Sequence, residues 1–112
     1  MPHVIIEHSA DLRPDAAFLD GLFRALAAHP AITKPETLKL RCTACDLHML
    51  GTKGQSFAHA TLLLLPGRDA ATKSDLCRVI LDQMQIALPE EASLSVNLAD
   101  LDPAYVKRVP PQ

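Results

Sequence analysis

At 112 residues the chain has room for one hydrophobic core and none for a second. Its 11 lysines and arginines against 13 aspartates and glutamates leave a net charge of −2, which argues against a nucleic-acid module, since phosphate contacts call for a basic excess. Apolar residues at 48% with only four glycines exclude a disordered or fibrous chain, and apolar runs such as Leu62–Leu65 fall far short of the ~20 residues that cross a bilayer.

His3–His8, His-Val-Ile-Ile-Glu-His, is a short β-branched segment that reads as a buried strand. The start of the chain lacks the basic region and apolar run of a signal peptide. After Ser9, Asp11 and Pro14 the period changes, and Phe18, Leu19, Leu22, Phe23 and Leu26 fall on one helical face. Pro14 suits the first turn of that helix, where its missing N–H has no partner to lose. The helix ends near His29-Pro30, because a residue before proline is pushed out of the α region. Thr37–Leu50 reads as a second extended segment, and Gly51–Gln55 as a turn. Phe57–Leu65 is the most apolar strand, closed by Pro66-Gly67. Leu76, Val79, Ile80, Met84 and Leu88 mark a second amphipathic helix ended by Pro89. Leu94–Leu101 supplies a last strand, and Pro103 onward a polar tail.

The order is βαβ followed by βαβ. It predicts an α/β (α+β) sandwich, one domain over residues 1–112, with four strands in one sheet and two helices on one face. Asp15-Ala16-Ala17, Leu22 and Arg24 recur 54 positions later as Asp69-Ala70-Ala71, Leu76 and Arg78. Either duplication or chance yields five such matches. If the halves are related by a two-fold within one sheet, the first and third strands run antiparallel. The end of the third, with Arg68, then lies beside Pro2. Crossover-linked strands are parallel, so Lys39 and Arg41 at the start of the second strand come to the same end.

Removal of Met1 would make Pro2 a secondary amine, the only proline nitrogen of the chain able to take a proton. A free α-amine has a pKa near 7.7–8.0. Burial or neighbouring cations lower it, which suits a base that shuttles protons near neutral pH. With Met1 retained the nitrogen is an amide, and the chain would be a non-catalytic oligomer that binds a ligand. Arg68, beside the open N–H groups of a helix start, is a candidate carboxylate site or a solvated turn arginine. Lys39 and Arg41, two apart on a strand, share a face and either point into water or bind acidic groups.

Cys42-Thr43-Ala44-Cys45 has half-site spacing, but in a strand an offset of three places the side chains on opposite faces. No second pair exists, and three cysteines form no disulfide framework. No metal is expected. His3, His8 and His59 are expected to pack or hydrogen-bond within the sheet. A reducing, cytoplasmic location fits this cysteine usage.

Pro2-His3-Val4-Ile5-Ile6-Glu7 with Ser9, Leu38-Lys39-Leu40-Arg41, Phe57–Leu62, Gly67-Arg68 and Leu94–Pro103 run in order along nearly the whole chain. In these segments the sequence resembles the 5-carboxymethyl-2-hydroxymuconate isomerase family of the tautomerase superfamily. The resemblance implies a tautomerase-like fold, a homotrimer, no cofactor, and ketonisation of a dienol di- or tricarboxylate in aromatic-acid catabolism. It makes Pro2 the acid/base and a small carboxylate the partner. Arg68 and Lys39 become carboxylate contacts, with Arg41 as the alternative to Lys39. The family has arginine where this chain has Lys39, and lysine keeps the charge without the bidentate fork. Tautomerisation of a smaller keto acid, dehalogenation and decarboxylation are rival reactions for the same proline.

Overall fold

The computed structural model describes residues 1–111, so Gln112 of the expected tail lies outside the described residues. Strand β1 (His3–Ser9) leads through α1 (Ala16–Ala27) and a 3-10 turn at Pro35–Thr37 to β2 (Lys39–Cys45). Strand β3 (Phe57–Leu64) leads through α2 (Ala70–Ala87) to β4 (Ser93–Asp100). The sheet order is β2-β1-β3-β4, with both crossover pairs parallel and the central β1–β3 pair antiparallel. This is the expected topology, with His3 opposite both Lys39 and Leu63.

The internal echo extends to the whole architecture. His3 and Phe57, Ala16 and Ala70, and Lys39 and Ser93 open corresponding elements at the same 54-residue spacing. The carboxylate of Asp15 accepts the Phe18 N–H at 2.9 Å, and that of Asp69 accepts the Thr72 N–H at 2.8 Å. Each therefore caps its helix by satisfying a backbone donor that has no partner within the helix. Pro14 consequently lies outside α1 rather than in its first turn, because Asp15 is the better cap.

One face of the sheet is covered. Val4, Ile6, Ala58, Ala60, Leu62 and Leu64 alternate onto it and meet Phe18, Leu22 and Leu26 of α1 and Leu76, Ile80 and Met84 of α2. Each fully buried leucine or isoleucine contributes roughly 1.5–3 kcal/mol. The opposite face carries His3, Ile5 and Glu7 of β1 and His59, Thr61 and Leu63 of β3 in register, and among the described residues no helix crosses it.

The second strand is shorter than the predicted Thr37–Leu50. It starts after the 3-10 turn and stops at Cys45, which pairs with Ser9, the last residue of β1. Beyond that point the chain has no neighbour to bond, and Leu47 and Met49 stand 96% and 94% exposed despite their apolar side chains. The third strand ends at Leu64, one residue early, before Gly67, whose φ of 123° is open to glycine alone. The predicted histidine contacts are present. His8 is buried and donates from Nδ1 to the Ser9 carbonyl at 2.8 Å, while His59 Nδ1 meets Ser95 Oγ at 2.7 Å on the next strand.

Candidate active site at the start of the first strand

The segment between α1 and β2 is set by hydrogen bonds. His29 Nδ1 accepts the Ala31 N–H at 3.0 Å, so its other nitrogen carries the proton and donates to Asp75 on α2 at 2.6 Å. The Ile32 N–H returns to the His29 carbonyl at 3.0 Å. These bonds tie the loop to the second helix and direct residues 32–34 toward the start of β1. Pro2 enters the sheet there, its carbonyl accepting the Lys39 N–H at 3.0 Å.

Arg68 follows the Pro66-Gly67 turn and is anchored on two sides. Its guanidinium donates from Nη1 to the Leu65 carbonyl at 2.9 Å and from Nη2 to the Ala31 carbonyl at 3.1 Å. It is therefore not a freely solvated turn arginine. Nor does it share an open helix terminus, because the Asp69 carboxylate already occupies the cap of α2. Two backbone carbonyls hold the guanidinium beside Pro2 without neutralising it.

Pro2, Ile32, Lys34, Leu65, Arg68 and Lys107 line one cleft of ≈ 190 Å³, together with Met1. That is below the roughly 300–1,000 Å³ of sites for drug-sized ligands, so the cleft suits a small molecule. Pro2 is buried. Met1 precedes it, and the pKa of the Met1 amine is lowered from 8.0, first by burial and then by the charges of Lys107, Arg68, Lys39 and Lys34. Four cations thus disfavour a positive amine at this point and favour an anion.

The sequence-predicted residues divide. Pro2 and Arg68 line the cleft together. Lys39 lies beside it, near enough to act on the terminal amine, with Nζ 3.5 Å from the Thr37 carbonyl. Arg41 points along the open sheet face, its Nη1 donating to His3 Nδ1 at 3.3 Å. Lys34 and Lys107 are the cations that sequence reasoning missed. Lys34 had one signal, its place just before Pro35 at the entry to β2. Lys107 had only the Asp102-Pro103 turn signal ahead of it in an otherwise polar tail. Cys42 and Cys45 are free and half-buried, and no cluster of metal-binding side chains occurs among the described residues.

No protein-family model and no curated protein sequence matches the chain. Solved structures do. A 5-carboxymethyl-2-hydroxymuconate isomerase from Deinococcus radiodurans superposes with a TM-score of 0.73 at 20% identity, covering 96% of this chain and 88% of that one. A 5-carboxymethyl-2-hydroxymuconate delta-isomerase gives 0.74 at 16% identity over 100% and 89% of the two chains. The chain has the tautomerase fold. A fused 4-OT that forms a symmetric trimer is also similar, with a TM-score of 0.73 at 18% identity over 88% and 85%. No described helix of this tautomerase-fold chain is long and apolar enough to cross a membrane.

Proposed function

We propose that the chain is an isomerase that ketonises a 2-hydroxymuconate-type dienol di- or tricarboxylate, resembling 5-carboxymethyl-2-hydroxymuconate, in aromatic-acid catabolism. Pro2, freed by removal of Met1, is its acid/base. The observation that carries this reading is the burial of Pro2 in a small cleft walled by Lys34, Arg68 and Lys107. In the neutral form the Pro2 nitrogen takes the proton of the 2-hydroxyl, the electron pair moves along the diene, and the same nitrogen returns a proton to the distal carbon. Atoms and charge balance without a cofactor. Arg68 holds one carboxylate, and Lys34 with Lys39 neutralises charge that develops on the dienolate. Arg41, engaged with His3, acts one contact further back.

The same reading makes the protein a homotrimer. Supporting it are the uncovered sheet face carrying Ile5 and Leu63, and the likeness to fused 4-OT chains that assemble as symmetric trimers. Edge strands in so small a sheet also need cover.

The test uses protein whose intact mass shows that Pro2 is the first residue, with loss of the dienol followed by its ultraviolet absorbance. Turnover above buffer is expected. Pro2→Ala should lower kcat by about 10²-fold or more, as for loss of a positioned acid/base, and retained Met1 should silence the protein. Failure of the mass-verified protein to turn over any such dienol, or equal rates with and without Met1, removes the proposal.

A further inference from the structure

The chain after β4 is not a loose tail. The Leu101 N–H donates to the Leu64 carbonyl at 2.6 Å, and a tight turn follows over Asp102–Tyr105. Its closing bond runs from the Tyr105 N–H to the Asp102 carbonyl at 2.9 Å, and Asp102 Oδ1 also accepts the Ala104 N–H at 2.8 Å. Proline at the second position of this turn fixes its φ, and aspartate at the first bonds its own backbone. The turn brings the only tyrosine of the sequence onto the first residue of β1. Tyr105 Oη lies 3.0 Å from His3 Nε2, and the two rings meet edge to face at 6.0 Å.

Arg41 fixes the polarity of that contact. A guanidinium only donates, so His3 Nδ1 accepts from Arg41, the proton resides on Nε2, and Nε2–H donates to the tyrosine oxygen. The chain Arg41–His3–Tyr105 thus clamps the tail across the start of β1. Two residues further on, Lys107 lines the cleft that holds Pro2.

We infer that this C-terminal segment is part of the ligand site, with Lys107 as the contact for a second carboxylate and Tyr105 as its positioning residue. The inference rests on the proposed function and assigns its selectivity. Arg68, held by the Leu65 and Ala31 carbonyls, takes the first carboxylate, and Lys107, which lines the same cleft from the tail, makes a two-ended acid bind better than a one-ended one. The tail lies outside the hydrophobic core, so it can be altered without touching the packing of sheet and helices.

The experiment titrates the full chain starting at Pro2 with muconate, a dienedioate, and with sorbate, the dienoate of the same length, following binding by calorimetry. Muconate should bind more tightly. Lys107→Ala should weaken muconate about fivefold, the size expected for a partly exposed charge contact, and leave sorbate unchanged. Lys107→Arg should restore muconate binding. Tyr105→Phe, which keeps the ring and every charge but loses the hydroxyl, should produce part of the same selective loss. Ending the chain at Ala104 should equal or exceed Lys107→Ala. Unchanged muconate binding in Lys107→Ala, or equal losses for both acids, overturns the inference. A protein that shows this selectivity yet turns over no dienol keeps the tail's role and loses the proline chemistry, so the two failures are distinct.

Discussion

The two ends of the central strand pair have the same backbone and opposite chemistry. Pro2 at the start of β1 corresponds, 54 residues on, to Ser56 at the start of β3. The Pro2 carbonyl accepts from Lys39 at 3.0 Å, and the Ser56 carbonyl accepts from Ser93 at 2.8 Å. The turn bond from Leu38 to Pro35 at 3.0 Å is repeated from Ala92 to Pro89 at 3.1 Å. Yet Lys34, Lys39 and Arg68 at the first end are replaced by Leu88, Ser93 and Pro14 at the second. There the Ser56 hydroxyl donates to Asp11, and the clefts, larger at ≈ 520 and ≈ 510 Å³, are bordered by Asp11, Lys53 and, in the second, Glu91. The fold therefore leaves concavities at both ends, and they differ in size and in charge: the smaller one, at Pro2, is lined by cations and no acidic side chain, whereas acidic groups border the larger ones.

If the halves are equivalent in packing, equivalent core deletions should cost alike. Leu22 of α1 and Leu76 of α2 occupy corresponding positions, and both are fully buried. Leu22→Ala and Leu76→Ala should each lower unfolding free energy by about 2–5 kcal/mol, measured by urea denaturation with an unchanged slope. A loss confined to one variant would show that a single half carries the core, and the structural equivalence would be superficial.

The parts of the site legible in the sequence were those that topology alone locates. Once two crossovers are parallel and the middle pair antiparallel, Pro2, Lys39 and Arg68 must converge, whatever their rotamers. The apolar periods of α1 and α2 were strong because both helices bury a single stripe against the sheet. Lys34 and Lys107 carried only weak turn signals because each arrives on irregular chain, aimed by the His29 contacts in one case and by Tyr105 in the other. Nothing in local spacing encodes either contact. Arg41 and Lys39 share a strand face, but a partner on β1, His3, draws Arg41 away from the cleft. The overlong second strand had the same origin. Leu47, Met49 and Leu50 have strand-like composition, but β1 ends at Ser9 and leaves them nothing to pair with.

The helix caps offer a finer comparison. Asp15→Ala and Asp69→Ala each remove a carboxylate that accepts one N–H, at 2.9 and 2.8 Å. Each loss should lower the urea midpoint modestly, by less than either core deletion does. Asp69→Ala has a second consequence with no counterpart at Asp15, because Arg68 is the adjacent residue. The N–H groups at the start of α2 would then be open to an anion beside the guanidinium. Asp69→Ala should therefore hold or improve muconate binding while it costs stability, whereas Asp15→Ala should leave binding unchanged. Weaker binding in Asp69→Ala at full occupancy of the folded state would show that the cap itself orders the Gly67-Arg68 turn.

The smallest expected effect separates the two ends by the origin of their pKa shifts. In the chain that keeps Met1, the terminal amine is lowered from 8.0 by burial first and by the surrounding cations second. Asp11 at the other end is lowered from 3.8 chiefly by the hydrogen bond from Ser56, then by one from Ser9. Both shifts make stability fall as pH falls, in different pH windows and from different causes. A depressed amine destabilises the fold as pH falls from 8.0 toward its lowered value, because the unfolded chain takes the proton first. A depressed carboxylate contributes stability above its unfolded value, and that contribution disappears as pH falls through the folded one. Raising ionic strength shortens the reach of the cations to a few ångströms, about 3 Å at 1 M, but leaves burial and hydrogen bonds in place. Titrations followed by NMR in low and high salt should show the Met1 midpoint rising part of the way back and the Asp11 midpoint holding still. Lys107→Ala should shift the amine in the same upward direction without added salt. An amine midpoint indifferent both to salt and to Lys107→Ala would mean that the cations around Pro2 are too well solvated to act on the nitrogen, and the contrast between the two ends would lose its electrostatic basis.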